Sequence, residues 1–350
     1  MSWCDRPSVV VLGAGGFVGR HVCEAFAAEG ADVLGVVRSE VARPLPVPLA
    51  RLDVCAEPPG RLAELLRERR ADVVVNAAGA VWRVTAEETR RGNVELPERL
   101  LAALSALDHR PRLVHLGSVH EYGPGAPGEA LREDTAPEPV NAYGRSKLLA
   151  TRAVLRAAGE GRVDGVVLRV SNVCGPWAPA GSLLGLIARH LALVLGRSPG
   201  EPPVPPLRLS PLRDRRDFVD VRDVADAVVA AARTGFASPD APERLLNIGR
   251  GEVVGVRTLV DRLIALSGLD AASVVEEHPA EEAPAQSPPG TARPDGGWQQ
   301  IDVGRARRLL HWRPRRPLEQ SLRDQLATVP HTPASDAPHL SSTAAEKRGS

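Results

Sequence analysis

The chain has 350 residues, 43% of them hydrophobic, so a substantial core is expected and wholesale disorder is not. Forty-four Lys and Arg against 43 Asp and Glu leave a formal charge of +1, which gives no reason to expect nucleic acid or an anionic membrane as partner. The cysteines, Cys4, Cys23, Cys55 and Cys174, are widely spaced with no CxxC pair; metal ligation and a disulfide framework are both poorly supported, and a reducing compartment fits.

In chain order, short β-branched runs alternate with longer amphipathic stretches. Polar Asp5 and Arg6 lead directly into a strand at 9–12, so no secretory leader is expected. No run reaches the roughly 18 apolar residues of a membrane helix, and a soluble, cytoplasmic protein follows. Residues 17–29 read as a helix, 32–37 and 49–53 as strands, 61–69 as a helix and 72–76 as a strand. A long helix over 87–107, a strand over 112–116, a helix over 143–158 and a strand over 165–170 complete the series. Continuous apolar strands separated by helices predict a doubly wound parallel α/β sheet covered on both faces.

Beyond about residue 171 the pattern loosens. Residues 183–195 read as a helix, but 196–211 and 276–297 are Pro-rich loops, while 218–232 restore a strand followed by a helix. The expected division is a cofactor-binding domain at 1–171 and about 215–248. A smaller, irregular substrate-binding domain takes about 172–214 and 249–328, and a disordered tail takes 329–350.

The first strand runs into Gly13-Ala-Gly-Gly16-Phe17-Val18-Gly19 and then a helix. Such a turn brings backbone close to a pyrophosphate and offers it the free N–H groups of a helix N-terminus. The same glycines would also serve an ordinary tight turn. Asp53 and Val54 end the third strand, where a carboxylate can accept from an adenine amino group. Asn76, Ala77, Ala78 and Gly79 end the fourth, where small residues admit a cofactor. The second strand ends in Arg38 and Ser39, where an NAD site usually has a carboxylate; Glu40 lies too far around the turn. Arg38 therefore points to the ribose phosphate of NADPH in preference to NADH, the alternative being a solvated surface charge.

Tyr143 and Lys147 stand four apart, on one face of a helix. A nearby ammonium is expected to lower the phenol pKa, so that Tyr143 exchanges a proton with a carbonyl substrate. At these residues the chain resembles the extended short-chain dehydrogenase/reductase family, from about residue 9 to 322, and the resemblance implies a Rossmann-type fold. Ser118, 25 residues before Tyr143, takes the place of the family's active-site Ser or Thr, and Lys147 would also hold the nicotinamide ribose. Asn172, in Asn172-Val-Cys-Gly-Pro176, matches a loop that touches the sugar nucleotide. Arg216, in Arg216-Asp-Phe-Val, matches a segment that pairs with the substrate diphosphate. Asp220 and Asp223 read as strand-end and cap residues. His311 replaces the glycine of the family's closing turn before Trp312.

Family dehydratases carry an acidic pair where this chain has Val119 and His120, which disfavours elimination of water. The block from Gly117 to Gly123 resembles that of actinomycete NDP-hexose 4-ketoreductases of deoxysugar pathways. This implies NADPH-dependent reduction of a dTDP-4-keto-6-deoxyhexose by a homodimer built through 87–107 and 148–158. His120 and Glu121 either contact the sugar ring or belong to a plain loop. A 4-epimerase with tightly bound NAD and a non-catalytic NADP-binding regulator are the rival readings.

Overall fold

A computed structural model describes residues 6–81, 84–238, 242–276 and 297–329. The chain opens with β1 (Ser8–Leu12), α1 (Phe17–Ala28), β2 (Asp32–Val37) and β3 (Leu49–Arg51). There follow α2 (Arg61–Glu68), β4 (Val73–Asn76), α3 (Ala86–Arg90) and α4 (Leu96–Ser105). Next come β5 (Arg112–Ser118), β6 (Ala130–Leu131), α5 (Ala142–Gly159), β7 (Asp164–Val170) and β8 (Asn172–Cys174). The later part holds α6 (Leu183–Leu195), β9 (Leu207–Leu209), β10 (Arg215–Asp220), α7 (Val221–Arg233) and β11 (Leu245–Ile248). It ends with β12 (Val253–Gly255), α8 (Val256–Ser267), β13 (Val274–Glu276), β14 (Trp298–Ile301), α9 (Gly304–Leu310) and α10 (Leu318–Ala327). None of the described helices is long and apolar enough to cross a membrane.

Seven strands form a parallel sheet in the order β11-β7-β5-β4-β1-β2-β3. Residues alternate between its faces. Val9 and Val11 join Phe26, Val224 and Val228 in the core under α1 and α7, while Val10 and Leu12 join Leu66, Leu100 and Val154 under α2, α4 and α5. Burial on both faces explains why the strands read as unbroken apolar runs. This is the expected doubly wound Rossmann-type α/β fold. The chain reverses direction across the sheet between β1 and β4, and there the strand ends leave a crevice.

A second sheet, β12-β10-β14-β6 with β8 beside β10, has its own core, in which Phe218 packs with Ile187, Leu191, Leu259 and Leu263. The strand of the 218–232 pair belongs to this sheet, whereas its helix α7 packs on α1. The seventh strand of the main sheet is β11, which sequence periodicity did not single out. Within the Pro-rich 196–211, Leu207–Leu209 pairs with β13. Most of 276–297, and the tail from 330, lie outside the described residues.

The long helix expected over 87–107 is interrupted by a π-helical turn at Arg91–Glu95. Asn93, 1% exposed, explains it. Its side chain accepts from the Ala80 N–H and donates to the Ala80 carbonyl, both at 2.8 Å, and reaches Ser146 Oγ at 3.0 Å. The extra residue of a π-turn aims that amide across to the segment after β4 and to α5.

His311 closes α9 at φ +50, in the left-handed region. A side chain there costs about 1–2 kcal/mol, which glycine avoids. His311→Gly should therefore raise stability by about 0.5–1 kcal/mol after the greater chain entropy of glycine is deducted. Urea unfolding reads it as a higher midpoint with unchanged slope.

Candidate active site

The carboxyl ends of the strands open into one cleft of about 1760 Å³. Gly13, Gly16, Phe17 and Val18 form one wall, Arg38 and Ser39 the end beyond β2, and Ala77, Ala78 and Gly79 the floor after β4. Ser118, His120, Tyr143 and Lys147 face the middle, and Asn172 and Arg216 line the far part.

The glycine loop is built by close approach. Gly13 turns at φ +79, and a Cβ on Gly19 would lie 2.1 Å from the Gly13 carbonyl oxygen. Gly19 therefore packs α1 against the loop and is not among the lining residues, a correction to its expected contact with cofactor. Gly16 begins α1 with no side-chain cap, and the first turn has no acidic residue. Its unclaimed N–H groups and positive dipole end suit a pyrophosphate. The loop, the uncapped helix and the alanine floor fit a dinucleotide.

The expected contact of Asn76 needs correction, and so does the expected distance of Glu40. Asn76 is fully buried; its Nδ2 is 3.0 Å from His115 Nδ1 and its Oδ1 accepts from the Ala78 N–H at 3.2 Å. It braces the floor from below. Asp53 and Val54 line a separate cavity of about 100 Å³ that shares Gly13, Arg38 and Ala78 with the cleft. There Asp53 Oδ1 accepts from the Cys55 N–H at 3.0 Å and Oδ2 lies 3.4 Å from Arg91, which leaves the carboxylate further lone pairs to accept with. Glu40 lies on the cleft wall beside Ser39, not out of reach around the turn.

Ser118 is the last residue of β5, and its hydroxyl lies near enough to the Tyr143 phenol to favour the phenolate. The same oxygen accepts from the His120 N–H at 3.2 Å, which fixes the turn at Val119–Glu121. Tyr143 sits in the first turn of α5, whose N-cap Asn141 accepts from the Gly144 N–H at 2.8 Å. Lys147, 5% exposed, donates to the Leu116 carbonyl at 2.6 Å. Ser118 from β5 and Tyr143 and Lys147 from α5 line one stretch of the cleft.

Their electrostatics differ from expectation. Burial pushes the Tyr143 phenol up to about 12, opposed by the nearby Ser118 hydroxyl and helped by the Glu121 charge. Lys147 does not lower it; the ammonium is directed at β5 and is itself pushed down by burial to about 8, with the Glu121 charge opposing. Tyr143 thus holds its proton at neutral pH. The His120 ring stands edge-on to Tyr143, centroids 5.7 Å apart, and burial and Arg216 bring it down to about 4, leaving a neutral imidazole.

Of the four expected sugar contacts, Glu121 fails. It is fully buried and paired with Arg169. Asn172 stays at the cleft with Nδ2 donating to the Asp217 carbonyl at 2.9 Å. Arg216 also stays, but Nε donates to Asp214 at 3.0 Å and Nη1 to Gln299 at 3.2 Å. Asp214, Gln299 and Asn93 escaped sequence reasoning. For Asn93 a signal existed, a carboxamide in the middle of an amphipathic helix.

The fold and the cleft are those of an NAD(P)-dependent enzyme of the oxidoreductase/epimerase kind. Residues 9–249 match the NAD dependent epimerase/dehydratase family, and the chain belongs to it, among the extended short-chain dehydrogenases. It is similar to the dTDP-6-deoxy-L-talose 4-dehydrogenase (NAD(P)(+)) of Kitasatospora kifunensis, at 42% identity over 90% of this chain and 93% of that one. It is also similar to the UDP-glucose 4-epimerase of Azospirillum brasilense, 32% identical over 90% and 94%. MoeE5, solved in complex with UDP-glucose and NAD, superposes with a TM-score of 0.74 at 28% identity, covering 91% of this chain and 97% of that one.

A lysine pushed down to about 8 carries its charge below that pH and loses it above. Turnover that depends on the Lys147 ammonium should fall as pH rises through about 8. A profile of kcat against pH, taken at saturating cofactor, checks this; a plateau continuing well beyond that point would count against a role for the charge.

Proposed function

We propose that this protein is an NADPH-dependent 4-ketoreductase of dTDP-4-keto-6-deoxyhexoses, in deoxysugar biosynthesis of the antibiotic type. The observation that carries this reading is that Ser118, Tyr143 and Lys147 line the same cleft as the uncapped glycine loop. The named activity of the Kitasatospora relative supports it. Oxidation of a C4 alcohol in a dTDP-6-deoxy sugar and reduction of the corresponding ketone pass through one transition state. Buried Val119 offers no acid where dehydration would need one, and His120 is neutral.

When bound, the reduced nicotinamide supplies the hydride. Tyr143, protonated at neutral pH, gives its proton to the sugar oxygen. Ser118 donates a hydrogen bond to that oxygen and keeps the phenol oriented. Lys147 holds positive charge beneath the centre, where burial strengthens its field. Asn172 and Arg216 hold the nucleotide end, with Arg216 exchanging part of its pairing with Asp214 for the diphosphate. The exposed Leu149 on α5 suits the homodimer contact expected on that helix.

A 4-epimerase retaining NAD is the second reading, favoured by the Azospirillum relative and by Glu40 on the cleft wall. NAD carried through purification would support it.

The experiment for the first reading is consumption of NADPH, followed by absorbance, with a panel of dTDP-4-keto-6-deoxy sugars. Tyr143→Phe should lower kcat on the order of a hundredfold or more while NADPH binding changes little. Near-normal turnover in that variant would sink the assignment.

The preference for NADPH rests on Arg38 and Ser39 at the cleft end. A charge-assisted contact of roughly 1.5–3 kcal/mol corresponds to about ten- to a hundredfold tighter NADPH than NADH. Glu40 nearby places the expectation at the lower end. Fluorescence titration of both cofactors should show Arg38→Asp reversing the preference. Equal affinities in the wild type would reduce Arg38 to a surface charge.

A further inference from the structure

Three residues beyond Ser118 the chain buries a charge that the cleft does not use. Glu121 has 0% exposure and lies behind the active-site turn. Its Oε1 accepts from the Ser118 N–H at 2.8 Å and from Thr151 Oγ1 at 2.9 Å. Its Oε2 accepts from Arg169 Nε at 2.8 Å. Arg169, 3% exposed on β7, has its guanidinium carbon 4.3 Å from the centre of the Tyr122 ring, and the Tyr122 hydroxyl donates to Asn247 at 2.9 Å. Gly117 leaves room for this arrangement, since a Cβ there would sit 2.7 Å from Glu121 Oε1.

Removing two charges from water costs several kcal/mol per ion, and apolar residues of similar volume would hold the fold as well or better. Stability is therefore a poor account of this pair. A carboxylate does two things that an apolar side chain cannot. It accepts from the backbone of Ser118, and it places a fixed negative charge in a low-dielectric interior.

We propose that Glu121 is a positioning residue of the catalytic centre, holding the Ser118 backbone at the end of β5 and standing as the fixed counter-charge of Lys147. This rests on the reading of Ser118, Tyr143 and Lys147 as the reacting groups. Lys147 Nζ sits on the Leu116 carbonyl, the residue before the Gly117 that borders Glu121 Oε1, and Thr151, one turn beyond Lys147 on α5, donates to that same oxygen. The titratable groups whose charge is felt there are Glu121 and, on β5, His115, with Arg169 on β7 paired to Glu121. Burial holds His115 well below its ordinary value, so it is neutral. Glu121 is then the anion that opposes the burial of Lys147 and keeps the ammonium charged near neutral pH. Arg169, at 2.8 Å, holds Glu121 in place.

The chain has only two lysines, Lys147 and Lys347, so NMR titration of lysine-labelled protein follows Lys147 directly, without any substrate. Glu121→Gln alone strands a buried guanidinium and risks unfolding. The double variant Glu121→Gln/Arg169→Met removes both charges and leaves an amide oxygen for Ser118. In the wild type Lys147 should titrate near 8. In the double variant its midpoint should fall by about one pH unit or more, while Lys347 stays in place. A folded double variant with an unmoved Lys147 midpoint would overturn the proposal.

Glu121→Asp gives the second reading. It keeps the charge but withdraws the acceptor by one methylene, so kcat on dTDP-6-deoxy-L-talose with NADP+ should fall on the order of tenfold or more, with KM little changed. An unchanged kcat would also overturn the proposal. If the wild type oxidises no nucleotide sugar at all, the assigned reaction fails, and the lysine titration still decides the role of Glu121.

Discussion

Asn76, Asn93, Ser118, Glu121, Lys147 and Arg169 are each less than a tenth exposed, yet all lie around the floor of the cleft. A buried polar group without a partner costs roughly 1–3 kcal/mol, and an unpaired charge costs more. Each of these six has its partner in the chain itself: Asn76 with His115 and Ala78, Asn93 with Ala80 and Ser146, Ser118 with His120, Lys147 with Leu116, Glu121 with Arg169. The pairs tie β4, β5, α5 and β7 into one layer. Tyr143 rests on that layer and can take few positions other than the one facing the cleft.

The layer also settles the electrostatics. Water is excluded from beneath the centre, so burial outweighs the attraction of neighbours for both Tyr143 and Lys147, moving one up and the other down. A protonated phenol above a buried ammonium can exchange a proton with an oxygen bound in the cleft. The same exclusion makes His120 a neutral neighbour instead of an acid. The chemistry of the site follows from its dryness as much as from its residue types.

Much of the fold was legible in the residues. Val9 to Leu12 and Val73 to Asn76 are apolar without interruption because helices cover both faces of the sheet, and a parallel sheet leaves that mark. What failed to show was β11: four residues between irregular segments have no period to read. The π-turn at Arg91–Glu95 was hidden for another reason. Its cause is the reach of Asn93 to Ala80 and Ser146, and residues on other elements supply both partners.

The sequence by itself determined the glycine loop after the first strand and the helical spacing of Tyr143 and Lys147. It also determined the distance from Ser118 to Tyr143, because these are patterns along one chain. Only the tertiary structure decided what Glu121, Asn76, Asp53 and Glu40 do. Their positions in sequence were compatible with a ligand contact, a plain loop or neither. Packing of β7 behind the turn claimed Glu121 for Arg169, and His115 on β5 claimed Asn76. Arg91 on the π-turn met Asp53, and the curl of the chain after β2 brought Glu40 to the cleft wall. Which side chains meet across a fold depends on contacts far apart in the chain, and no local spacing encodes them.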